Sequence, residues 1–155
     1  MSMLARAGFA WVQWKSRHGL RDDTAAHGEK REHLRVGVRG ETYAYWYLRR
    51  QGYVFVARNY EPARERGELD LVGFDGETLA FVEVRTRALA EGRPAQPELS
   101  ISKEKHQVLV RTAHAFLRER HIRECPVRFD VVAIDNRLGS PPMVRLHKDA
   151  LSPRA

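Results

Sequence analysis

Gly67-Glu68-Leu69-Asp70-Leu71-Val72-Gly73-Phe74-Asp75-Gly76-Glu77-Thr78-Leu79-Ala80-Phe81-Val82-Glu83-Val84-Arg85-Thr86-Arg87 joins two apolar runs through Asp75-Gly76 and plants acids inside both. An Asp-Gly pair supplies the positive φ angles of a type I′ turn, and the flanking Leu, Val, Phe and Thr carry the bias of strands. The stretch predicts a β-hairpin with its carboxylates on the strands. Counting back from a two-residue turn sets Asp70 opposite Phe81 and Glu68 opposite Glu83. Side-chain alternation then gathers Glu68, Asp70, Glu83 and Arg85 on one face. Asp70 and Glu83 become diagonal neighbours, roughly 7–8 Å apart, near enough for two inward-leaning carboxylates to grip one divalent cation. Without a cation, like charges so placed repel.

Working outward, Val36 to Gln51 has helical periodicity and ends at Gly52, the residue type that most easily takes a left-handed C-terminal cap. Gly37, Glu41, Ala44, Tyr45 and Leu48 follow the rhythm of a core-facing stripe, so Glu41 is carried inward while Arg49 and Arg50 point away. Tyr53 to Asn59 alternates as a strand and, with the hairpin, completes an antiparallel meander. Ala88 to Leu99, with Gly92, Pro94 and Pro97, reads as a surface loop. A second helix starts near Ser100 or Ser102 and carries Ile101, Val108, Leu109, Thr112, Ala113 and Phe116 along one side, with Lys105 on that side too. Val127 to Ile134 is a nearly continuous apolar run, as expected of a strand covered on both faces, which makes the helix a crossover to a parallel partner. Pro141-Pro142 precedes a last short strand around Met143 to Leu146.

The 155 residues, 43% of them hydrophobic, suit one domain with a substantial core. The formal net charge of +7 favours polyanions, nucleic acid or an anionic membrane surface. One cysteine, Cys125, cannot form an intramolecular disulfide, which fits a reducing compartment; the cytoplasm is the expected location. No stretch approaches the roughly 20 apolar residues of a membrane span. Residues 1–34 read as a basic, partly disordered extension, and residues 152–155 as a tail. Arg6, Lys15 and Arg17 give the extension a faint likeness to a transit peptide, but Arg6 breaks the apolar run that a secretory signal requires. The histidines His106, His114 and His121 are spread along a helix rather than gathered on a metal. Tyr43, Tyr45, Trp46 and Tyr47 are expected as packing residues, with Tyr43 or Tyr47 able to stack on a base if exposed.

Gly40-Glu41-x-x-Ala44, Tyr53, Arg58-Asn59, Gly67 to Val72, Phe81 to Arg87, Lys105, Arg128-Phe129-Asp130-Val131-Val132 and His147-Lys148-Asp149-Ala150 stand in one order along residues 35–151. In that order they resemble the YraN-like family of uncharacterised bacterial proteins, within the PD-(D/E)XK superfamily and similar to archaeal Holliday-junction resolvases. The resemblance implies an α/β fold with a restriction-endonuclease-like core: helix, three-stranded antiparallel meander, crossover helix, parallel strand and short final strand. It implies a nuclease-like domain over residues 35–151 in which Asp70 and Glu83 hold Mg2+ or Mn2+. Glu41 lies in or beside the metal shell, and the Val84 carbonyl is a further ligand. DNA, including branched DNA, is the implied substrate, and a homodimer is the expectation for a symmetric junction.

Arg85 stands where most such nucleases carry lysine. Arginine stays protonated at any ordinary pH, so it can orient water or neutralise phosphate but cannot act as a general base. The catalytic candidates are therefore Glu41, Asp70, Glu83, Arg85 and Lys105, in a metal-dependent endonuclease or in a nucleic-acid-binding protein that retains the fold without hydrolysis. Blander roles compete at each position. Glu83 or Asp70 could form a structural ion pair with Arg85, Glu68 could pair with Arg66 or Arg87, and Lys105 could snorkel beside the apolar stripe. Asp130 and Arg128, two residues apart on one strand face, are expected as an ion pair.

Overall fold

The computed structural model describes residues 30–88, 100–136 and 141–154. The expected loop between Ala88 and Leu99 and most of the N-terminal extension lie outside the described residues. Helix α1 (Lys30–Arg50) leads into β1 (Val54–Tyr60), β2 (Leu69–Asp75) and β3 (Thr78–Ala88); helix α2 (Lys103–Glu119) then leads into β4 (Val127–Asn136) and β5 (Met143–Leu151). One five-stranded sheet runs β1-β2-β3-β4-β5. The meander is antiparallel, β4 pairs parallel to β3, and β5 returns antiparallel. This is the expected α/β order of helix, meander, crossover helix, parallel strand and final strand. Helix α1 begins several residues before the expected Val36, and β5 is nine residues long rather than a short strand.

Alternation along the strands sends apolar side chains to both faces, and each helix covers one of them. Ala44, Tyr45 and Leu48 of α1 pack with Phe55, Leu71, Ala80, Val82, Val132 and Ile134. Leu109, Val110, Ala113 and Phe116 of α2 pack with Tyr60, Val72, Leu79, Phe81 and Phe129 on the other face. Phe116 meets Tyr60 edge-on at 4.9 Å between ring centroids and Phe81 at 5.9 Å, arrangements that aromatic quadrupoles favour. Both helices end in the same pair of bonds. Gly52 N–H and Tyr53 N–H donate to the Arg49 and Leu48 carbonyls, as His121 N–H and Ile122 N–H donate to those of Arg118 and Leu117. The left-handed residue of this cap is Gly52 in one helix, at φ 95°, and His121 in the other, at φ 54°.

The hairpin corrects the register expected from its turn. Asp75 pairs with Thr78, and Leu71 with Val82, so the two central residues are Gly76 and Glu77. Only Gly76 among them has positive φ, 62°, the pattern of a turn with glycine at its first central position. The ladder ends at Leu71–Val82, so Asp70 and Glu83 are the next residues on their strands beyond its last pair. Two partners outside the hairpin pin the turn: Asp75 Oδ2 accepts from Arg128 Nη2 and from Lys148 Nζ, each at 2.7 Å.

Those bonds belong to a buried network. The Arg128 guanidinium donates to Asp130 at 2.7 and 3.0 Å, Tyr53 Oη donates to Asp130 Oδ2 at 2.8 Å, and Asp149 N–H donates to Asp130 Oδ1 at 2.9 Å. The expected Arg128–Asp130 pair is thus present around a fully buried carboxylate. Asp149, at φ 53°, lies in the irregularity that separates Phe129–Leu151 from Val131–His147 in the β4–β5 ladder. Asp130 caps the amide that this detour frees. Burial and the Asp130 hydrogen bond push the Tyr53 hydroxyl well above its ordinary pKa, so it remains a donor.

Candidate active site

The network zips the turn end of the hairpin; at the other end the strands part. The β2–β3 ladder stops at Leu71–Val82, and Leu69 pairs with Tyr60 of β1. Val84 N–H, left without a strand partner on β2, donates to Asp70 Oδ2 at 2.7 Å. Asp70 therefore fills the split between the strands. A residue in a strand directs its N–H and C=O to the same edge, so the Val84 carbonyl faces this split as well.

Glu83 is 8% exposed, and one of its oxygens, Oε1, lies 3.4 Å from Lys105 Nζ. Lys105 reaches it because Ser102 caps α2, accepting from Lys105 N–H at 3.1 Å, which fixes the lysine in the first turn above the acids. The other oxygen, Glu83 Oε2, is buried without a hydrogen-bond partner, as is Glu41 Oε2 from α1. Buried carboxylate oxygens without partners carry a substantial desolvation cost. Burial first, and then the Glu83 and Glu41 charges, push the Asp70 carboxyl up to about 7 against the pull of the Val84 amide and Lys105. Burial likewise raises Glu83, although Lys105 and Arg85 draw it down. Glu68 is exposed at the rim; partial burial and then the Glu41 and Glu61 charges raise it, while Arg87 is engaged with Asp135.

The five candidates thus come together: Asp70 and Glu83 across the parted strands, Glu41 above them on α1, and Lys105 and Arg85 close enough to act on Glu83. Glu83 pairs with Lys105, not with Arg85, and among the described residues the Arg85 side chain makes no hydrogen bond or ion pair. No group of three His, Cys, Asp or Glu side chains converges as a ready cage for an ion among the described residues. Magnesium does not require one, since it binds through one or two carboxylates and keeps several waters. Two adjacent carboxylates, an orphaned oxygen on Glu83 and another on Glu41, and a strand carbonyl at the same edge make a donor set that fits such an ion.

Two features lay outside the sequence reading. Asp135, 5% exposed, accepts from Arg87 at 2.7 Å and from Arg145, tying β3, β4 and β5 together beyond the acids. Burial favours its neutral form, but the two arginines outweigh that and hold its pKa below the usual carboxylate range. Trp46, expected in the packing, is 58% exposed, and Tyr43 is 44% exposed. Tyr45 is in the core as expected. None of the described helices is long and apolar enough to cross a membrane.

The model of the uncharacterised protein family UPF0102 matches residues 40–134, which hold all five candidates. The UPF0102 protein of Koribacter versatilis is 40% identical over 103 residues, covering 66% of this chain and 70% of its own length. That of Geotalea uraniireducens is 34% identical over 122 residues, 79% of this chain and 93% of its own. That of Solibacter usitatus is 43% identical over 95 residues, 61% and 70% respectively. With the match spanning the meander, the crossover helix and the parallel strand, the chain belongs to the UPF0102 (YraN) family of the restriction-endonuclease-like superfamily.

Proposed function

We propose that this protein is a metal-dependent endonuclease that hydrolyses phosphodiester bonds of DNA at the parted end of the β2–β3 hairpin. The observation that carries the reading is the pair of carboxylates just beyond the end of the β2–β3 ladder, half-buried Asp70 and buried Glu83, with Glu83 Oε2 unpartnered and Lys105 beside Glu83 Oε1. Asp70, Glu83 and the Val84 carbonyl would hold Mg2+ or Mn2+, with Glu41 beside them. When bound, such an ion activates water and relieves charge on the phosphate. The chain's own groups supply the rest. Val84 N–H fixes the Asp70 carboxylate, Lys105 orients Glu83, and the Arg85 guanidinium, unpaired among the described residues, would meet the phosphate with two donors at once.

Arg85 also favours a second reading, a DNA-binding protein that retains the fold without cleavage, because a guanidinium does not accept a proton at ordinary pH. Purified protein incubated with supercoiled, single-stranded and branched DNA, with Mg2+, Mn2+ or chelator, separates the two. Metal-dependent nicking that disappears in Asp70→Ala and Glu83→Ala supports the endonuclease. Nicking that survives both substitutions removes the site, and salt-sensitive binding without cleavage selects the second reading.

A further inference from the structure

We propose that the exposed face of α1 is a stacking platform for unpaired bases, so that the nucleic acid bound by this protein carries a single-stranded stretch beside the acid site. The inference rests on the nucleic-acid reading above and names the form of the partner.

Tyr43, Trp46 and Arg50 recur at i, i+3 and i+7, which puts them on one face of α1, opposite the stripe of Ala44, Tyr45 and Leu48 that enters the core. Trp46 at 58% and Tyr43 at 44% exposure are the two exposed large aromatics among the described residues. Large aromatic rings left in water at helical spacing form a platform that every base can use, because every base has a π-face. The Arg49 guanidinium sits 6.0 Å from the Trp46 ring centroid and bonds Tyr45 Oη at 3.1 Å. Arg49 thus lies beside an indole that stays more than half exposed.

Charge selects the occupant. From Thr42 to Tyr60 the chain contains Arg49, Arg50 and Arg58 and no Asp or Glu. A second copy packed symmetrically on this face would bring Arg50 towards its own counterpart. A polyanion with exposed bases matches both the cations and the rings. Glu41 lies on the same helix, less than two turns from Trp46 and on its inward side. A strand crossing α1 between platform and acids therefore has only the width of one helix, about 10–12 Å, to span.

The test compares affinities for an oligothymidylate and for a duplex of equal length by fluorescence anisotropy, in chelator so that no cleavage intervenes. Trp46→Ala is expected to weaken the single strand by roughly 5- to 100-fold, the loss of one stacked base, and the duplex by less than about twofold. Trp46→Phe keeps most of the affinity, and Tyr43→Ala loses less than Trp46→Ala. Equal losses on both substrates, or no loss on either, overturn the proposal. So does a dimer in sedimentation that Trp46→Ala dissolves, which would assign the face to a second copy. Because Trp46 is exposed, unchanged circular dichroism is expected for its variants. The outcome is separable from the cleavage assay: Asp70→Ala and Glu83→Ala abolish nicking while leaving the preference for single strands in place.

Discussion

Asp70→Asn should make the metal-free protein more stable at pH 8. The folded protein holds the Asp70 carboxyl near 7 against an ordinary value of 3.8. At about 1.36 kcal/mol per pKa unit, ionising it in place costs at most about 4 kcal/mol. The sign follows from proton counting. Between those two values the folded state binds the proton that the unfolded chain has released, so this group's contribution is greatest at low pH and is lost as pH rises towards 7. Asparagine has no charge to desolvate, its oxygen still accepts from Val84 N–H, and its amide can donate towards Glu83. Urea denaturation in chelator should therefore show Asp70→Asn gaining about 1–3 kcal/mol over the wild type at pH 8, and little at pH 3, where the wild-type acid is protonated in the folded and unfolded states alike. Added Mg2+ should reverse the ranking, because an ion that binds only the folded wild type stabilises it by mass action. A variant less stable than wild type at pH 8, or with the same difference at both pH values, would refute the reasoning from burial and repulsion.

Other substitutions test separate links. Arg85→Lys should leave DNA cleavage equal or raise it, measured as nicking rate at pH 8; a clear fall would assign the guanidinium its own bidentate role. Phe116→Ala removes the ring that meets both Tyr60 and Phe81 and should cost about 3–5 kcal/mol in urea denaturation. His121→Gly relieves a left-handed residue at the end of α2 and should stabilise by roughly 0.5–1 kcal/mol, seen as a higher urea midpoint; a lower midpoint would show that the imidazole contributes more than the backbone costs.

The hairpin and its acids were legible because strand residues and Asp-Gly are local signals. Its register was not, because Asp75 is pinned by Arg128 and Lys148 from strands far along the chain. Pinning moves the central turn residues to Gly76-Glu77, yet the change advances the pairing by two, so the shared face of Asp70 and Glu83 survives the wrong count. The start of α1 was missed because Lys30 to Arg35 is mostly polar and has no sustained apolar periodicity. Strand β5 was cut short for a similar reason: His147-Lys148-Asp149 looks like a polar end until Asp130 is seen to accept the Asp149 amide. Glu41 was found by its place on a helical stripe. Trp46 was misplaced because composition argues for burial of tryptophan, and only the assembled sheet shows which side of α1 it covers.

The bond from Val84 N–H to Asp70 gives the molecule a spectroscopic reporter at its candidate centre. An amide proton donated to a carboxylate senses whether that carboxylate is charged, neutral or shared with a cation. One backbone resonance on β3 thus records the charge state of Asp70 in the folded protein, before any substrate is found and without turnover.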